Sequence, residues 1–551
     1  MATRPPEGNH TQQKPRAPVR GLSTGWAFLL LLASRLISAR VNLIHDCDEV
    51  YNYWEPLHFL LYGSGMQTWE YSSKYALRSY LYLLLHATVA GPAALLFGTG
   101  AGKVWVFYAT KAGLATLSAL CESALYRATR EAVGGWTAHL LLALLASSAG
   151  MFVSASGLLP SAFAMCCLTA AAAAVLAGRP LRVIVAGAAG LVWGWPVAGV
   201  SFLPYAVYVL LAAPLGRALG TAAAALAFTA GPLVITDRVF YGRWTVSLLN
   251  FLRYNVGGGG NSALYGTEGA GFYLRSGALA LNLALPLAAA APLALLFRRG
   301  HGRPGGRARM AVALAPVPLW LAAISALPHK EERFLYVVYP LVCLAAAVAL
   351  AATPAALRAL GGWLLPRRAT LWAAWLAPRA ALTAAALLSA MRVAALVRNY
   401  GAPMALYRQL PELLPGANTT YVCVGGEWHR FPSAFFLPGP AYRLAYVRSG
   451  FDGLLPRAFD LAQGGTAAAP PELNDRNRWE PRNAWADALR CDFFVGLQHA
   501  EEPALQDPAE WSPLAARAFV DTARSPSALA RALYIPRLSA ARNLAAQCAI
   551  E

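Results

Sequence analysis

Long apolar stretches recur along this chain of 551 residues and limit what it can fold into. A helix needs about 20 predominantly apolar residues to cross the hydrocarbon core of a bilayer. Stretches of that order occur at 22–40, 81–99, 103–120, 134–153, 157–178, 182–212, 217–236, 271–297, 309–327, 333–352 and 369–396. The 57% hydrophobic and 13% charged composition also argues against a soluble globular fold. The sequence therefore predicts an all-α polytopic membrane protein with about eleven transmembrane helices.

Basic residues flank the apolar stretches unevenly, and this asymmetry predicts the orientation of the chain. The arm at 1–21 is polar and carries Arg4, Lys14, Arg16 and Arg20. No small-residue cleavage site follows the first apolar stretch, so this stretch is interpreted as an anchor and not as a removed signal peptide. Cytoplasmic loops are enriched in Lys and Arg, which places the arm and the basic loops at 298–309 and 367–368 in the cytosol.

Counting crossings from a cytosolic arm places the segments 41–80, 237–270 and 328–333 on the opposite side of the membrane, with everything after 397. Two short basic loops disagree with this count; they contain Arg127, Arg130, Arg179 and Arg182. Either these loops carry too little charge to matter, or one apolar pair is a re-entrant or broken helix that lines a cavity.

The amino-acid composition of the chain changes after the last apolar stretch. Residues 22–397 form the predicted membrane domain, and residues 398–551 are richer in charge, proline and short β-like runs. We expect this tail to form a small α/β domain on the non-cytosolic side. It contains an N-glycosylation sequon at Asn418. Its cysteines, Cys423 and Cys491, are expected either to form a disulfide or to remain two buried thiols.

Acidic residues are concentrated directly after the first apolar stretch, in the segment 45–80. Asp46, Asp48 and Glu49 lie where ionised carboxylates are costly unless they line a wet cavity. One interpretation is a general base that removes a proton from an acceptor hydroxyl. The other is a helix cap that binds backbone N–H groups. The residues alone leave both interpretations open.

A short turn between two crossings carries cations on the same predicted side. His329, Lys330 and Arg333 alternate there with two glutamates. Lys330 as a point charge and Arg333 as a bidentate fork are suited to binding a phosphate. A turn that neutralises itself through its own glutamates is the structural alternative.

Other classes of function are poorly supported. The net charge of +19 comes mostly from loops that flank the membrane, so it indicates contact with anionic lipid headgroups and not with nucleic acid. The eight cysteines show no C-x-x-C spacing, which argues against a zinc or redox site. We expect no metal and no cofactor, although Asp46 and Asp48 could hold a metal ion.

Several motifs together resemble one family of glycosyltransferases. They are HDCDE at 45–49, NYWEP at 52–56, QTWEYS at 67–72, RSY at 78–80, LYGTE at 264–268, HKEERF at 329–334, and VCVG, EW and RFPS between 422 and 433. They are similar to those of the dolichyl-phosphate-mannose-dependent α-1,2-mannosyltransferases of lipid-linked oligosaccharide assembly. HKE-x-RF alone is shared with sister mannosyltransferases.

The resemblance implies a GT-C fold, an endoplasmic reticulum location and a luminal active site in the 41–80 loop. It implies transfer of mannose from dolichyl phosphate mannose to the dolichyl-diphosphate-linked oligosaccharide, as the seventh and ninth mannoses. It also implies acceptor- or sugar-binding roles for seven residues, which are Trp54, Glu55, Gln67, Trp69, Glu70, Tyr265 and Glu268.

Because the donor is a β-mannosyl phosphate and the product is α, the family chemistry implies one inverting displacement. Asp48 is the first candidate for the base, with Asp46 and Glu49 as alternatives; His329, Lys330 and Arg333 would bind the donor phosphate. A sister enzyme that makes an α-1,6 bond or a glycolipid anchor is the nearest alternative. A lipid transporter or flippase is disfavoured because the ionisable clusters lie in loops and not within the membrane.

Overall fold

A computed structural model describes most of the chain. The described residues are 21–255, 262–296, 305–361, 366–410, 419–497 except 463, 469, 471–472 and 487, and then 511–522, 524–537, 539 and 545–550. The helices are α1 (Thr24–Val41), α2 (Cys47–Glu49), α3 (Glu55–Tyr62), α4 (Tyr80–Phe97), α5 (Lys103–Val133), α6 (Gly135–Ser147), α7 (Ala149–Ser154), α8 (Pro160–Leu176), α9 (Pro180–Ala189), α10 (Gly199–Ala212), α11 (Leu215–Tyr241), α12 (Ser247–Asn255), α13 (Phe272–Leu281), α14 (Ala284–Ala289), α15 (Ala291–Leu296), α16 (Gly306–Leu314), α17 (Pro316–Ala326), α18 (Tyr339–Gly361), α19 (Arg367–Tyr400), α20 (Ala402–Tyr407) and α21 (Ala528–Ala532). The strands are β1 (Met66–Gln67), β2 (Thr420–Val424), β3 (Tyr442–Tyr446), β4 (Arg457–Ala458), β5 (Phe493–Leu497), β6 (Ala515–Val520) and β7 (Ala545–Ile550).

The packing of α1 against α5 defines the two faces of the helical domain. Lys111 of α5 donates to the carbonyl of Asn42, just after α1, at 2.8 Å. At the other end, Tyr126 and Arg130 of α5 donate to the carbonyl of Leu22, just before α1, at 3.0 and 2.5 Å. The helices are therefore antiparallel. The end near Asn42 is called the loop face and the end near Leu22 the basic face.

Helix α4 begins and ends on the loop face. The hydroxyls of Tyr80 and Thr466 are 2.5 Å apart, and Lys103, at the start of α5, donates to the carbonyl of Ala434 at 2.9 Å. Thr466 and Ala434 both belong to the C-terminal part of the chain, so the prediction that 81–99 crosses the membrane is wrong. The stretch is as apolar as a spanning helix because residues such as Leu95 remain exposed on its outer side.

The stretch 182–212 also differs from the prediction of a single crossing, because it folds as two helices that pack on each other. Helix α9 passes into a π-helical turn at Gly190–Gly194, and α10 begins after a short 3-10 turn at Pro196–Ala198. Pro196 has no N–H with which to continue a helix. Beside it, Trp195 packs against Phe334, which follows the loop-face turn at 327–331. The one predicted crossing is therefore two.

Seven helices, α4 among them, are long and apolar enough to cross a membrane by length and composition, and four shorter apolar helices accompany them in the described part. Following the chain from face to face among the described residues gives eleven crossings, formed by α1, α5, α6–α7, α8, α9, α10, α11, α13–α15, α16–α17, α18 and α19. In this path all four discordant arginines lie on the basic face, where Arg309 lies beside Gly178. The predicted number of crossings agrees because one predicted crossing, 81–99, is absent and another, 182–212, is two. The two basic loops that disagreed with the predicted path lie on the basic face with the other basic loops.

The C-terminal part contains a five-stranded sheet in the order β3-β2-β5-β7-β6. Strand β2 pairs in parallel with β3 and β5, whereas β7 is antiparallel to β5 and β6. A disulfide joins Cys423 to Cys491, with Cα atoms 5.8 Å apart. A second, two-stranded sheet pairs β1 with β4 and so ties the C-terminal part to residues after α3. Asn418 lies outside the described residues.

A buried ion pair links three of the membrane helices. Arg35 of α1 donates to both carboxylate oxygens of Glu122 on α5, at 2.9 and 2.8 Å, and to the carbonyl of Leu145 on α6 at 2.5 Å. We expect Arg35→Leu to destabilise the protein by about 3–5 kcal/mol, because it leaves a buried carboxylate without its cation. Thermal unfolding in detergent measures the effect. Adding Glu122→Leu should restore most of the loss, and a wild-type melting temperature for the single variant would contradict this role.

Candidate active site

Three loops meet on the loop face, and we name them by order in the chain: the first loop (42–79), the second loop (242–271) and the third loop (327–331). The backbone N–H of Glu268 in the second loop donates to the carbonyl of Pro328 in the third, at 3.1 Å. Arg243 of the second loop donates to the carbonyl of Ser73 in the first, at 2.5 Å. Residues far apart in sequence thus border one site.

Arg333, directly after the third loop, is the centre of this site. Its guanidinium contacts Asp48 Oδ2 at 2.5 Å and Asp46 Oδ2 at 3.2 Å. It also contacts the carboxylate of Glu331. The predicted meeting of the acid-rich segment with the cationic turn is therefore present, but one arginine is shared by three carboxylates.

The three acids of the first loop have different environments. Asp46 caps α2, since its Oδ1 accepts the backbone N–H of Asp48 at 2.9 Å. Glu49 is only 6% exposed and accepts from the indole of Trp54 at 3.0 Å and from the N–H of Leu158 at 2.9 Å. Asp48 is the most open, with 38% of its side chain exposed. The capping interpretation is thus confirmed for Asp46, and the general-base interpretation stays a prediction.

The other residues of the predicted phosphate-binding turn are also engaged. His329 lies 2.8 Å from Glu331 and 2.9 Å from the carbonyl of Gly266. Lys330 is buried and donates to the carbonyls of Glu268 and Leu327 at 2.8 and 2.5 Å. These bonds hold the second and third loops together. The phosphate-binding role assigned to the turn stays a prediction.

Burial and charge shift the pKa values of this cluster in opposite directions. Burial raises the pKa of Asp46 to about 7, although Arg333 opposes the shift. Burial would also raise the pKa of Glu331, but Arg333 and His329 lower it to about 2. The hydrogen bond to Glu331 raises the pKa of His329. Around neutral pH, Asp46 is therefore a group of this cluster that gains or loses its charge, and the raised pKa of His329 makes its imidazole a second one.

We therefore expect the rate of the reaction at this site to rise as the pH increases through about 7. Below that pH Asp46 is protonated and cannot pair with Arg333, and above it the ion pair forms and holds the site in place. Asp46→Asn keeps the capping oxygen but cannot ionise, so the step near pH 7 should disappear while activity remains. A pH–rate profile of both proteins makes the comparison. Complete inactivity of Asp46→Asn at every pH would instead assign the proton transfer to Asp46.

Of the seven residues predicted to bind sugar, Trp54, Glu55 and Gln67 are at most 1% exposed. Trp54 is fully buried, and Gln67 pairs with Arg457 between β1 and β4. Glu55 accepts from the hydroxyl of Ser433 at 2.8 Å and from the N–H of Ala434 at 2.6 Å, so it anchors the C-terminal part. The side chains of these three residues therefore make contacts inside the protein. The sequence motif alone does not distinguish such structural contacts from contacts with a bound sugar.

Trp69 is also buried, and the last three predicted sugar-binding residues lie nearer the surface of the loops. Tyr265 and Glu268 are exposed in the second loop. Trp69 packs edge-on against Tyr75 of the first loop. Glu70 accepts two hydrogen bonds from Arg78, at 3.1 and 2.9 Å. Their predicted roles remain untested.

Two basic residues of the site were not assigned a role from the sequence. Arg78 also donates to the hydroxyl of Tyr53 at 2.7 Å, which places it between the first loop and α4. Lys103 lies 3.0 Å from His58 Nε2 and bonds the C-terminal part. In the sequence, Arg78 stands out only as part of the RSY motif at 78–80. Its position within the acid-rich segment 45–80 is the one sequence feature that indicates a function.

One group of side chains has the proximity of metal ligands. Ligand atoms of Asp46, Cys47 and Asp48 all lie within 4.8 Å of one another. The guanidinium of Arg333 already contacts both carboxylates. Two carboxylates bridged by a guanidinium are a weak divalent-cation site, because the cation would have to displace an ion pair.

Comparisons with known proteins agree with this geometry. The model of the Alg9-like mannosyltransferase family matches residues 26–438. The α-1,2-mannosyltransferase ALG9 of Arabidopsis thaliana is 36% identical over 532 residues, covering 95% of this chain and 90% of the relative. The human ALG9 is 37% identical, covering 93% and 86%, and that of Saccharomyces cerevisiae is 31% identical, covering 92% and 91%.

A solved structure shares the architecture. The crystal structure of ArnT from Cupriavidus metallidurans bound to undecaprenyl phosphate superposes with a TM-score of 0.52 at 15% identity, covering 96% of this chain and 98% of that one. This likeness shows the fold alone, and it confirms the GT-C architecture implied by the motifs. The predicted multi-pass membrane glycosyltransferase is confirmed as well. The chain belongs to the Alg9-like mannosyltransferase family.

Proposed function

We propose that the enzyme transfers mannose from dolichyl phosphate mannose to the dolichyl-diphosphate-linked oligosaccharide in α-1,2 linkage, adding the seventh and ninth mannoses of the N-glycan precursor. The names of the full-length relatives support the linkage. The eleven crossings support substrates that stay in the bilayer.

The exposure of Asp48 is the observation that carries the mechanism. Its carboxylate is more exposed than those of Asp46 and Glu49, and one hydrogen bond to Arg333 leaves its other oxygen available. We propose that this oxygen takes the proton of the acceptor 2-hydroxyl. The hydroxyl oxygen then bonds to C1 of mannose while the C1–O bond to phosphate breaks and its electron pair leaves with dolichyl phosphate. One displacement inverts the β donor to an α product.

The distribution of arginines supports an orientation in the endoplasmic reticulum membrane. Arg130, Arg179, Arg309 and Arg367 lie on the basic face, which the positive-inside rule assigns to the cytosol. The loop face and C-terminal part would then be luminal. Because Arg333 contacts both aspartates, we propose that no metal takes part, and full transfer in the presence of EDTA is the expected result.

A reconstitution with defined substrates tests this proposal. Purified full-length protein is given dolichyl phosphate mannose and a lipid-linked oligosaccharide with six mannoses. We expect one mannose to be added in a form that α-1,2-specific mannosidase removes. Asp452→Asn, in an exposed aspartate of the C-terminal part, is the control and should behave like wild type. An α-1,6 product would favour the sister enzymes, and absence of transfer would contradict the proposal.

A further inference from the structure

A cavity on the loop face adjoins Arg78 and has one polar wall and one apolar wall. Tyr53, Arg78 and Ser79 line its polar side, and Leu81, Val192 and Leu233 line its apolar side. The polar wall belongs to the first loop, which also carries the acid pair. The cavity is therefore shaped for an amphipathic molecule whose charged end lies near the site and whose apolar part extends among membrane helices.

Three helices begin at this cavity, and the 3-10 turn that precedes a fourth helix also lines it. Its lining includes Ser79 at the N-cap of α4, Pro160 at the start of α8, Pro196 in the turn before α10, and Ser247 at the start of α12. Each helix directs the positive end of its dipole towards its N-terminus. Two of the first N–H groups are already bonded, since Ser79 Oγ accepts from Leu81 at 3.2 Å and Asp237 Oδ2 accepts from Ser247 at 2.7 Å. Helix α9 ends there with the opposite polarity. The balance of dipoles favours an anion, and the buried carboxylate of Asp237 beside Ser247 opposes it, so the guanidinium of Arg78 supplies the main attraction.

Two further observations point to a ligand that carries oxygen acceptors. Tyr82 lines the cavity, is 6% exposed, and its hydroxyl has no hydrogen-bond partner within the described part of the chain. Buried hydroxyls normally have a partner. Arg78 uses three N–H groups on Glu70 and Tyr53, which leaves two of the five that a guanidinium carries. A ligand with several oxygen acceptors would satisfy both side chains.

The requirements of an in-line displacement distinguish Arg78 from Arg333. The base and the leaving group lie on opposite sides of the reacting carbon, so a cation already occupied by the carboxylates of the acid cluster is poorly suited to stabilise the leaving phosphate. Arg333 contacts Asp48 at 2.5 Å and two other carboxylates besides. Arg78 pairs with one carboxylate, Glu70, and makes no direct ion pair with Asp48 among these described residues. Arg333 thus lies on the base side.

Tyr53 connects the two arginines. Its hydroxyl accepts from Arg78, and burial raises the pKa of this hydroxyl while the charges of Arg78, Arg333 and Asp48 all act on it. Tyr53 therefore lies between two ion pairs. One is Arg78 with Glu70, and the other is Arg333 with Asp48. A sugar placed beside Tyr53 would have the base on one side and the cavity on the other.

We propose that this cavity binds the phosphate of the polyprenyl-phosphate mannose donor, with Arg78 as its charged ligand and the apolar wall receiving the lipid chain. The inference rests on the proposed function, since it assumes a lipid-phosphate donor. When the C1–O bond breaks, its electron pair moves to the phosphate oxygen, and Arg78 with the helix N-termini stabilises that charge. Arg333 then acts as a positioning residue for the acids.

The test measures binding of dolichyl phosphate and the KM for dolichyl phosphate mannose with full-length protein in nanodiscs. We expect Arg78→Gln to raise both constants about tenfold to a hundredfold, because a charge-assisted contact is lost. Arg78→Lys should recover part of the loss. Leu248→Trp, which fills the cavity and leaves Arg78 in place, should also raise both constants. Arg253→Gln, an exposed position on α12, is the matched control and should match wild type.

The outcomes separate this inference from the proposed function. If wild-type protein neither binds dolichyl phosphate nor transfers mannose, the proposed function fails. If wild type does both and Arg78→Gln binds equally well, the inference alone is overturned. Inorganic phosphate and phosphatidic acid vesicles are added as competitors and should not displace dolichyl phosphate. Displacement by phosphatidic acid would instead assign the cavity to a membrane phospholipid and overturn the donor site.

Discussion

Asp48→Asn should abolish mannose transfer while leaving donor binding intact. Asparagine can still accept a hydrogen bond from Arg333, so the site keeps its shape, but it cannot take a proton from the acceptor hydroxyl. General-base catalysis is worth about 10²- to 10⁴-fold in rate. Single-turnover transfer and the Kd for dolichyl phosphate measure the two properties separately.

The result identifies the base among the three acids of the first loop. A loss of kcat of at least about 10²-fold with a Kd within twofold of wild type is expected for Asp48→Asn. Full activity would place the base elsewhere, and Asp46→Asn and Glu49→Gln would then be the variants to compare. The Asp452→Asn control shows whether the loss comes from this site or from handling of the protein.

Arg333→Gln is expected to have the second large effect, a fall in kcat of about 10²-fold with little change in the KM for the donor. Hydrogen bonds to charged groups are worth about 1.5–3 kcal/mol, and this change removes those to Asp46 and Asp48. Three carboxylates would also face one another without their shared cation. Steady-state kinetics at saturating donor and acceptor separate kcat from KM.

Two further variants sharpen this prediction. Because Arg333 acts through Asp48, Arg333→Gln combined with Asp48→Asn should be no slower than Asp48→Asn alone. Arg243→Gln, at an exposed arginine that donates to the carbonyl of Ser73, should keep its activity. A raised donor KM with unchanged kcat for Arg333→Gln would place Arg333 on the phosphate, as the sequence predicts.

The convergence of the first and third loops could be predicted because topology and motif agreed. Asp48 and Arg333 are 285 positions apart, and only their shared side of the membrane and their family motifs join them. Which carboxylates are available to substrate could not be predicted. Glu49 and Glu55 occur in the same acid-rich segment as Asp48, yet tertiary contacts with Leu158 and Ala434 give them structural partners.

The errors in the helical domain have the same physical origin. Composition cannot distinguish a helix that crosses the bilayer from one that returns to the same face, since both expose apolar residues to lipid; α4 is the example. Pro196 could have divided the 182–212 stretch, because proline ends a helix hydrogen-bond ladder. The misplaced charges at Arg130 and Arg179 were the sequence signal that the predicted path needed correction.

The central claim is an inverting transfer to the 2-hydroxyl of an acceptor mannose. Its most direct test is the NMR spectrum of product made by the purified protein from dolichyl phosphate mannose labelled with ¹³C at C1. We predict an α one-bond C–H coupling at the labelled carbon and a through-bond correlation to C2 of the acceptor mannose. A β coupling, or a correlation to C6, would contradict the account.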